Sequence, residues 1–148
     1  MLKPPPSKQS RAGEDYTLTG KWGELVAARG HAQIPMYLLR INQFLDKDHQ
    51  LTPIDQLVLF QLVGNWWNKS EMPFPAISTL AHRIGVSSRQ ISRCVSHLVE
   101  LGLMEKKLRK NGRLRASNQY DLTPLVKLLE EIAAAYPNEF PRATKRKK

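Results

Sequence analysis

Cys94-x-x-His97, with His82 upstream, falls in "STLAHRIGVSSRQISRCVSHLVELGLM", residues 78–104, which holds the only cysteine and two of the four histidines. Thiol and imidazole groups at this spacing lie one helical turn apart and could begin a zinc or copper site. Such a site needs three or four converging ligands, and no further cysteine or paired carboxylate stands nearby, so no metal is expected. The stretch offers Cys94 a second part, that of a small hydrophobe on the inner side of a helix. Catalytic sets are also missing. No Ser/His/Asp grouping, glycine-rich phosphate loop or paired-carboxylate motif appears, so neither an enzyme nor a cofactor is expected.

Charge gives the stretch a different meaning. The chain of 148 residues carries a net charge of +10, which points toward a polyanionic partner. Arg83, Arg89, Arg93, Lys106, Lys107, Arg109, Lys110, Arg113 and Arg115 form one basic run, opposed only by Glu100 and Glu105. "RATKRKK" at residues 142–148 forms another. Two separate runs favour nucleic acid over a merely solvated face. An apolar content of 41% suffices for a packed core. No apolar run reaches the ~18 residues of a membrane helix. The first residues lack the apolar stretch of a secretion signal, and one cysteine suits a reducing cytoplasm.

The elements that position these groups follow from punctuation and period. Residues 1–20, rich in Pro, Ser and charge, are expected to be disordered, as is the basic tail 137–148. "GKWGELVAARG" reads as a short helix with Trp22, Leu25 and Val26 on one side. Pro35 opens another, with Met36, Leu39 and Phe44 among its apolar positions. Thr52-Pro53-Ile54-Asp55 is a helix start, and the following "PIDQLVLFQLVGNWWN" is apolar on nearly every side, so it belongs at the centre of the fold. Trp66 and Trp67 at its end read as core and edge packing. "AISTLAHRIG" places Ile77, Leu80, Ala81 and Ile84 at helical spacing. Ser87-x-x-Gln90 is a capping box for a third helix that buries Ile91, Cys94, Val95, Leu98 and Leu101. Beyond Gly102 the period changes to two. Asn111-Gly112 signals a hairpin, and a three-residue loop pairing Leu108 with Leu114 would put both on the core face with Met104 and Tyr120. Thr123-Pro124 then caps a last helix carrying Leu125, Leu128, Leu129 and Ile132.

"ISTLAHRIGVSSRQISRCV", residues 77–95, meets the requirements of a helix-turn-helix. Leu80 and the small Ala81 sit where two helices cross, Gly85 in the turn, and Ile91, Cys94 and Val95 on the inner side of the second helix. With the basic hairpin after it, this stretch resembles a winged helix-turn-helix domain, like those of bacterial regulators and of plasmid or phage replication-initiation proteins. The resemblance covers residues 52–124 well and 31–45 weakly. It implies a mainly α fold with a small β-hairpin wing, in one domain over residues 21–136. One departure is Ala76, where serine usually caps the helix.

That geometry lays helix 87–101 in the major groove of double-stranded DNA, with its N-terminal residues at base edges. Ser88, Arg89, Gln90, Ser92 and Arg93 face outward. Arg89 can donate twice to guanine, and Gln90 can pair with adenine or serve only its capping box. Ser87 caps and can also bond phosphate, while Thr79 and Arg83 are placed for backbone contact. In the wing, 103–120, Lys107, Arg109, Arg113 and Arg115 grip phosphate or reach the minor groove at the tip around Asn111. The expected function is sequence-specific binding of double-stranded DNA, as a small transcriptional regulator or, alternatively, a plasmid or phage replication initiator. The expected location is cytoplasmic and nucleoid-associated. Leu125, Leu129 and Ile132, with the Trp22 and Phe44 segments, would form a homodimer contact unless that stripe packs on its own domain.

Overall fold

A computed structural model of the chain describes residues 2, 17–108, 110–111, 114–115 and 118–140. Two compact units divide at Ala32–Gln33. The first holds α1 (Leu18–Trp22) and α2 (Glu24–Ala27). The single helix expected here is split by Gly23, whose φ of 84° breaks the helical path. Leu18–Gly20, inside the stretch expected to lack order, are helical, and Thr17 Oγ1 accepts from Gly20 N at 2.9 Å as their cap. Residue 1 and residues 3–16 lie outside the described residues.

The second unit begins with α3 (Met36–Leu39) and a 3-10 turn at Ile41–Gln43. The buried side chains here are Leu38 and Ile41; of the apolar positions named from the sequence, Phe44 packs against the core while Met36 and Leu39 are exposed. The reason is length: one turn followed by a tighter 3-10 turn presents a different face from a continuous helix. Asn42 secures the next segment, donating to Leu51 O at 2.7 Å and accepting from Leu51 N at 2.8 Å.

Three helices make the body: α4 (Pro53–Gly64), α5 (Ile77–Ile84) and α6 (Ser88–Glu100). Val58, Leu59 and Leu62 of α4, Leu80 and Ala81 of α5, and Ile91, Cys94, Val95 and Leu98 of α6 are all buried in one core. α5 starts without a side-chain cap at Ala76, as expected, and stops at Gly85 (φ 83°, ψ 34°). There Gly85 N and Val86 N both bond to Ala81 O, at 2.8 and 3.1 Å, closing the helix end with a left-handed residue. α6 opens 3 residues later on its own box.

Strand β1 (Glu105–Lys107) pairs antiparallel with β4 (Gln119–Asp121), and β2 (Lys110–Asn111) pairs with β3 (Leu114–Arg115). Met104 and Tyr120 are buried, as the alternation predicts. The register of the wing is not the one read from the sequence. Asn111 lies opposite Leu114, so Leu108 is not paired with Leu114; Gly112 of the expected turn lies outside the described residues. Leu108 is 64% exposed. The two ladders are offset by one residue, because two residues separate Lys107 from Lys110 but three separate Arg115 from Gln119. A one-residue change of register is enough to undo a face assignment. Pro73 meets β4 through a bond from Tyr120 N to Pro73 O of 2.9 Å. Proline suits that position because only its carbonyl is used.

α7 (Thr123–Ala135) completes the unit. Asp121, one residue ahead of the Leu122 cap position, accepts from Thr123 N at 2.9 Å and does the work assigned to Thr123 in the sequence reading. Two residues of the expected dimer stripe face the core of their own unit and the third is partly buried. Leu125 and Ile132 are 1% and 6% exposed within the core of their own unit, and Leu129 packs against it. Around the end of α7, Tyr37 OH donates to Tyr136 O at 2.7 Å and the Phe140 ring meets Tyr37 edge-on at 4.9 Å. Pro137–Phe140, the start of the expected tail, thus bear a core-flanking aromatic contact. Residues 141–148 lie outside the described residues.

Two variants test this construction. No atom lies within 4 Å of a Cβ built on Gly85, so Gly85→Ala meets no clash and should lose about 1–2 kcal/mol from left-handed backbone strain alone. Denaturant unfolding reads this loss, and an unchanged midpoint would contradict the turn geometry. Thr123 first, and then Lys107, hold the Asp121 carboxyl below its usual value of 3.8. A lowered folded-state value stabilises the fold above that pH and is lost as pH falls through it. Asp121→Asn should therefore lower stability by about 1 kcal/mol or less at pH 7, and thermal melts of the two proteins should converge below pH 3.8.

Candidate nucleic-acid interface

The site is built on α6, whose two sides have opposite chemistry. Its inner stripe is held by the core. Its outer side carries Ser88, Arg89, Gln90, Ser92, Arg93 and Ser96, all exposed. Arg89, Ser92, Arg93 and Ser96 line an open, shallow concavity of about 350 Å³, bounded by His97 and Glu100. Two guanidinium groups beside small hydroxyls make a surface that donates hydrogen bonds without blocking close approach.

At the start of α6, Ser87 Oγ accepts from Gln90 N at 3.1 Å and Gln90 Oε1 accepts from Ser87 N at 3.4 Å. The capping box is therefore complete. Pairing with adenine uses the amide oxygen and nitrogen of glutamine together, so base reading by Gln90 competes with its long bond to Ser87.

Arg83 is exposed on α5 and Thr79 is partly buried beside it, both bordering a separate cleft. Lys107 is exposed but pairs with Asp121 at 3.2 Å, so part of its charge is spent inside the wing. Asn111 and Arg115 belong to β2 and β3. Arg109 and Arg113 lie outside the described residues.

The Cys94 thiol and the His97 imidazole meet at a third group. Asp55 of α4 is 2% exposed. Its Oδ2 accepts from Thr52 N at 3.0 Å, completing the α4 capping box, and from His97 Nδ1 at 2.8 Å. Burial first, and then the hydrogen bond and charge of Asp55, push the Cys94 thiol up to about 12. A thiol raised that far stays protonated at neutral pH. His82 is exposed on α5 and does not join them. Among the described residues no group of three or more His, Cys, Asp or Glu could hold a metal ion. Asp55 is legible in the sequence as a local cap, but its bond to a residue 42 positions away is not. Ser96 was legible, being three residues after Arg93 and seven after Arg89 on the same face.

Two measurements follow from this cluster. Cys94 should resist iodoacetamide at pH 8 in the folded protein and react readily in denaturant; rapid labelling of the folded form would contradict its burial and protonation. Asp55→Ala should cost about 1–3 kcal/mol, since it removes a cap and leaves two part-buried donors, Thr52 N and His97 Nδ1, without their acceptor. Asp46→Ala is the control. Asp46 makes the same kind of contacts, to His49 Nδ1 at 2.6 Å and to two backbone N–H groups, but in the open. It should change stability little, and equal losses would show that burial is not what gives Asp55 its weight.

Residues 49–104, which span α4, α5 and α6, match the family model described as Helix-turn-helix domain. No curated protein matches the chain. Among the described residues no helix is long and apolar enough to cross a membrane. The glycine turn between α5 and α6, the buried stripe of α6 and the family match agree: residues 49–104 are a helix-turn-helix domain, and the antiparallel strands that follow give it a wing.

Proposed function

We propose that this protein binds particular sequences of double-stranded DNA and acts as a small transcriptional regulator. The observation that carries the reading is the outer face of α6. Arg89, Ser92, Arg93 and Ser96 share one open concavity while Ile91, Cys94, Val95 and Leu98 are fixed in the core. A helix anchored along one stripe and bare along the other can enter the major groove as a rigid body. Arg89, in the first turn of α6, is the residue that reads a base. Arg83, Lys107 and the other wing cations contact phosphate and set register. The net charge of +10 supports affinity for any duplex, on which the base contacts impose choice. Plasmid or phage origin binding would use the same contacts, and it differs in where bound sites lie on the genome: repeated origin sequences rather than promoters. Nothing in this reading calls for catalysis.

Arg89→Ala tests it. Duplexes selected from a random-sequence library by the native protein serve as the specific probe, and scrambled duplexes of equal length serve as the nonspecific one. At fixed salt, the variant should lose roughly ten- to hundredfold on the selected duplex and little on the scrambled one, as expected for a bidentate arginine–guanine pair. Lys107→Ala should weaken both together. Equal losses on both probes for Arg89→Ala would make it a phosphate contact, and no loss on either would remove α6 from the groove.

A further inference from the structure

Beside the helix-turn-helix lies a cleft of about 390 Å³, which the proposed duplex contacts touch only at Thr79 and Arg83. Asn65, Trp67, Glu71, Phe74, Thr79 and Arg83 border it. Trp66 and Trp67, read from the sequence as a packing pair, part company here. Trp66 packs against the core, but Trp67 is 79% exposed. Leaving an indole in water is costly, and its presence on the wall of a cleft marks a contact surface. Phe74, half exposed, lines the same cleft.

The polar groups narrow the ligand. Arg83 supplies a cation and Thr79 a hydroxyl at one part of the wall, and both belong to α5. Glu71 supplies a carboxylate and Asn65 an amide. A purely anionic ligand would be repelled by Glu71, and a purely apolar one would leave Arg83 and Glu71 unpaired. A ligand with a flat π face, an amino or imide N–H edge and an attached phosphate satisfies all of them. That description is a nucleotide. The volume also falls in the range of a small-ligand site.

We propose that this cleft binds one unstacked nucleotide, its base on Trp67, its N–H edge toward Glu71 and its phosphate at Arg83. The source is a single strand running from the duplex, or a free nucleotide acting as an effector. A strand is favoured because Arg83 and Thr79 already belong to the backbone-contacting set, and in that respect the inference rests on the DNA reading above. Base–aromatic stacking tolerates any sequence, so this site adds affinity for opened DNA without adding base choice.

The experiment follows tryptophan emission of the full chain during titration with three probes: a mixed-sequence single-stranded oligonucleotide, the same sequence as a closed duplex, and a mixture of the four deoxynucleoside monophosphates. The single strand should quench emission, and Trp67→Phe should remove most of the quenching while keeping most of the affinity. Trp67→Ala should weaken single-strand binding about tenfold or more and leave closed-duplex binding unchanged. Saturable, Trp67-dependent binding of the monophosphates alone would keep the nucleotide site and make its source an effector. Trp67→Ala binding single strand and monophosphates like the native protein would overturn the proposal. Loss of sequence preference on closed duplex is read in the Arg89 experiment, so the two ideas fail separately.

Discussion

A carboxylate taken out of water must have its lone pairs occupied, and Asp55 has them occupied from two helices at once. It accepts from Thr52 N at the start of its own helix and from His97 Nδ1 on the recognition helix, with the Cys94 thiol beside it. Apolar packing between α4 and α6 is strong but not directional, and would tolerate small rotations of one helix on the other. Hydrogen bonds to a buried carboxylate are directional and costly to break. Asp55 therefore adds a directional link to the buried stripe of Ile91, Cys94, Val95 and Leu98, and the two together fix the rotation of α6 about its own axis. That rotation decides which side chains face outward.

From this constraint the rest of the interface follows in order. With α6 fixed on α4, the chain from α5 must turn sharply to reach it, and the left-handed Gly85 makes that turn in one residue. The crossing of α5 and α6 then needs a small residue, which Ala81 supplies. The strands after Gly102 start from the end of α6, so the wing inherits the same orientation. Tyr120 ties the wing to residues 71–76 through Pro73. The basic side chains lie on the surface left over. Charge alone would attract DNA at any angle; the fixed helix gives the attraction a direction.

The central helices were legible in the sequence because their signals are local. Thr52-x-x-Asp55 and Ser87-x-x-Gln90 are capping boxes by type and spacing, and both are present. The i, i+3, i+4, i+7 stripe of Ile91, Cys94, Val95 and Leu98 is the buried stripe of α6. What escaped reading depends on partners distant in the chain. The Asp55–His97 bond joins residues 42 apart. The wing register depends on one extra residue on the returning strand, which alternation does not reveal when few of its residues are apolar. The α7 stripe was apolar enough for a dimer or for its own core, and only its packing against the N-terminal part of the second unit decides between them. Trp67 differs from Trp66 only by lying one residue farther from the end of α4, and that is enough to turn it outward.

The central claim is that the outer face of α6 meets base edges in the major groove. Methylation interference tests it directly, because dimethyl sulfate marks guanine N7 in the major groove and adenine N3 in the minor groove. On a selected duplex, methyl groups at guanine N7 within the bound site should prevent binding, since an arginine cannot then donate to that edge. Interference confined to adenine N3, with methylated guanines bound as well as unmodified ones, would contradict the account.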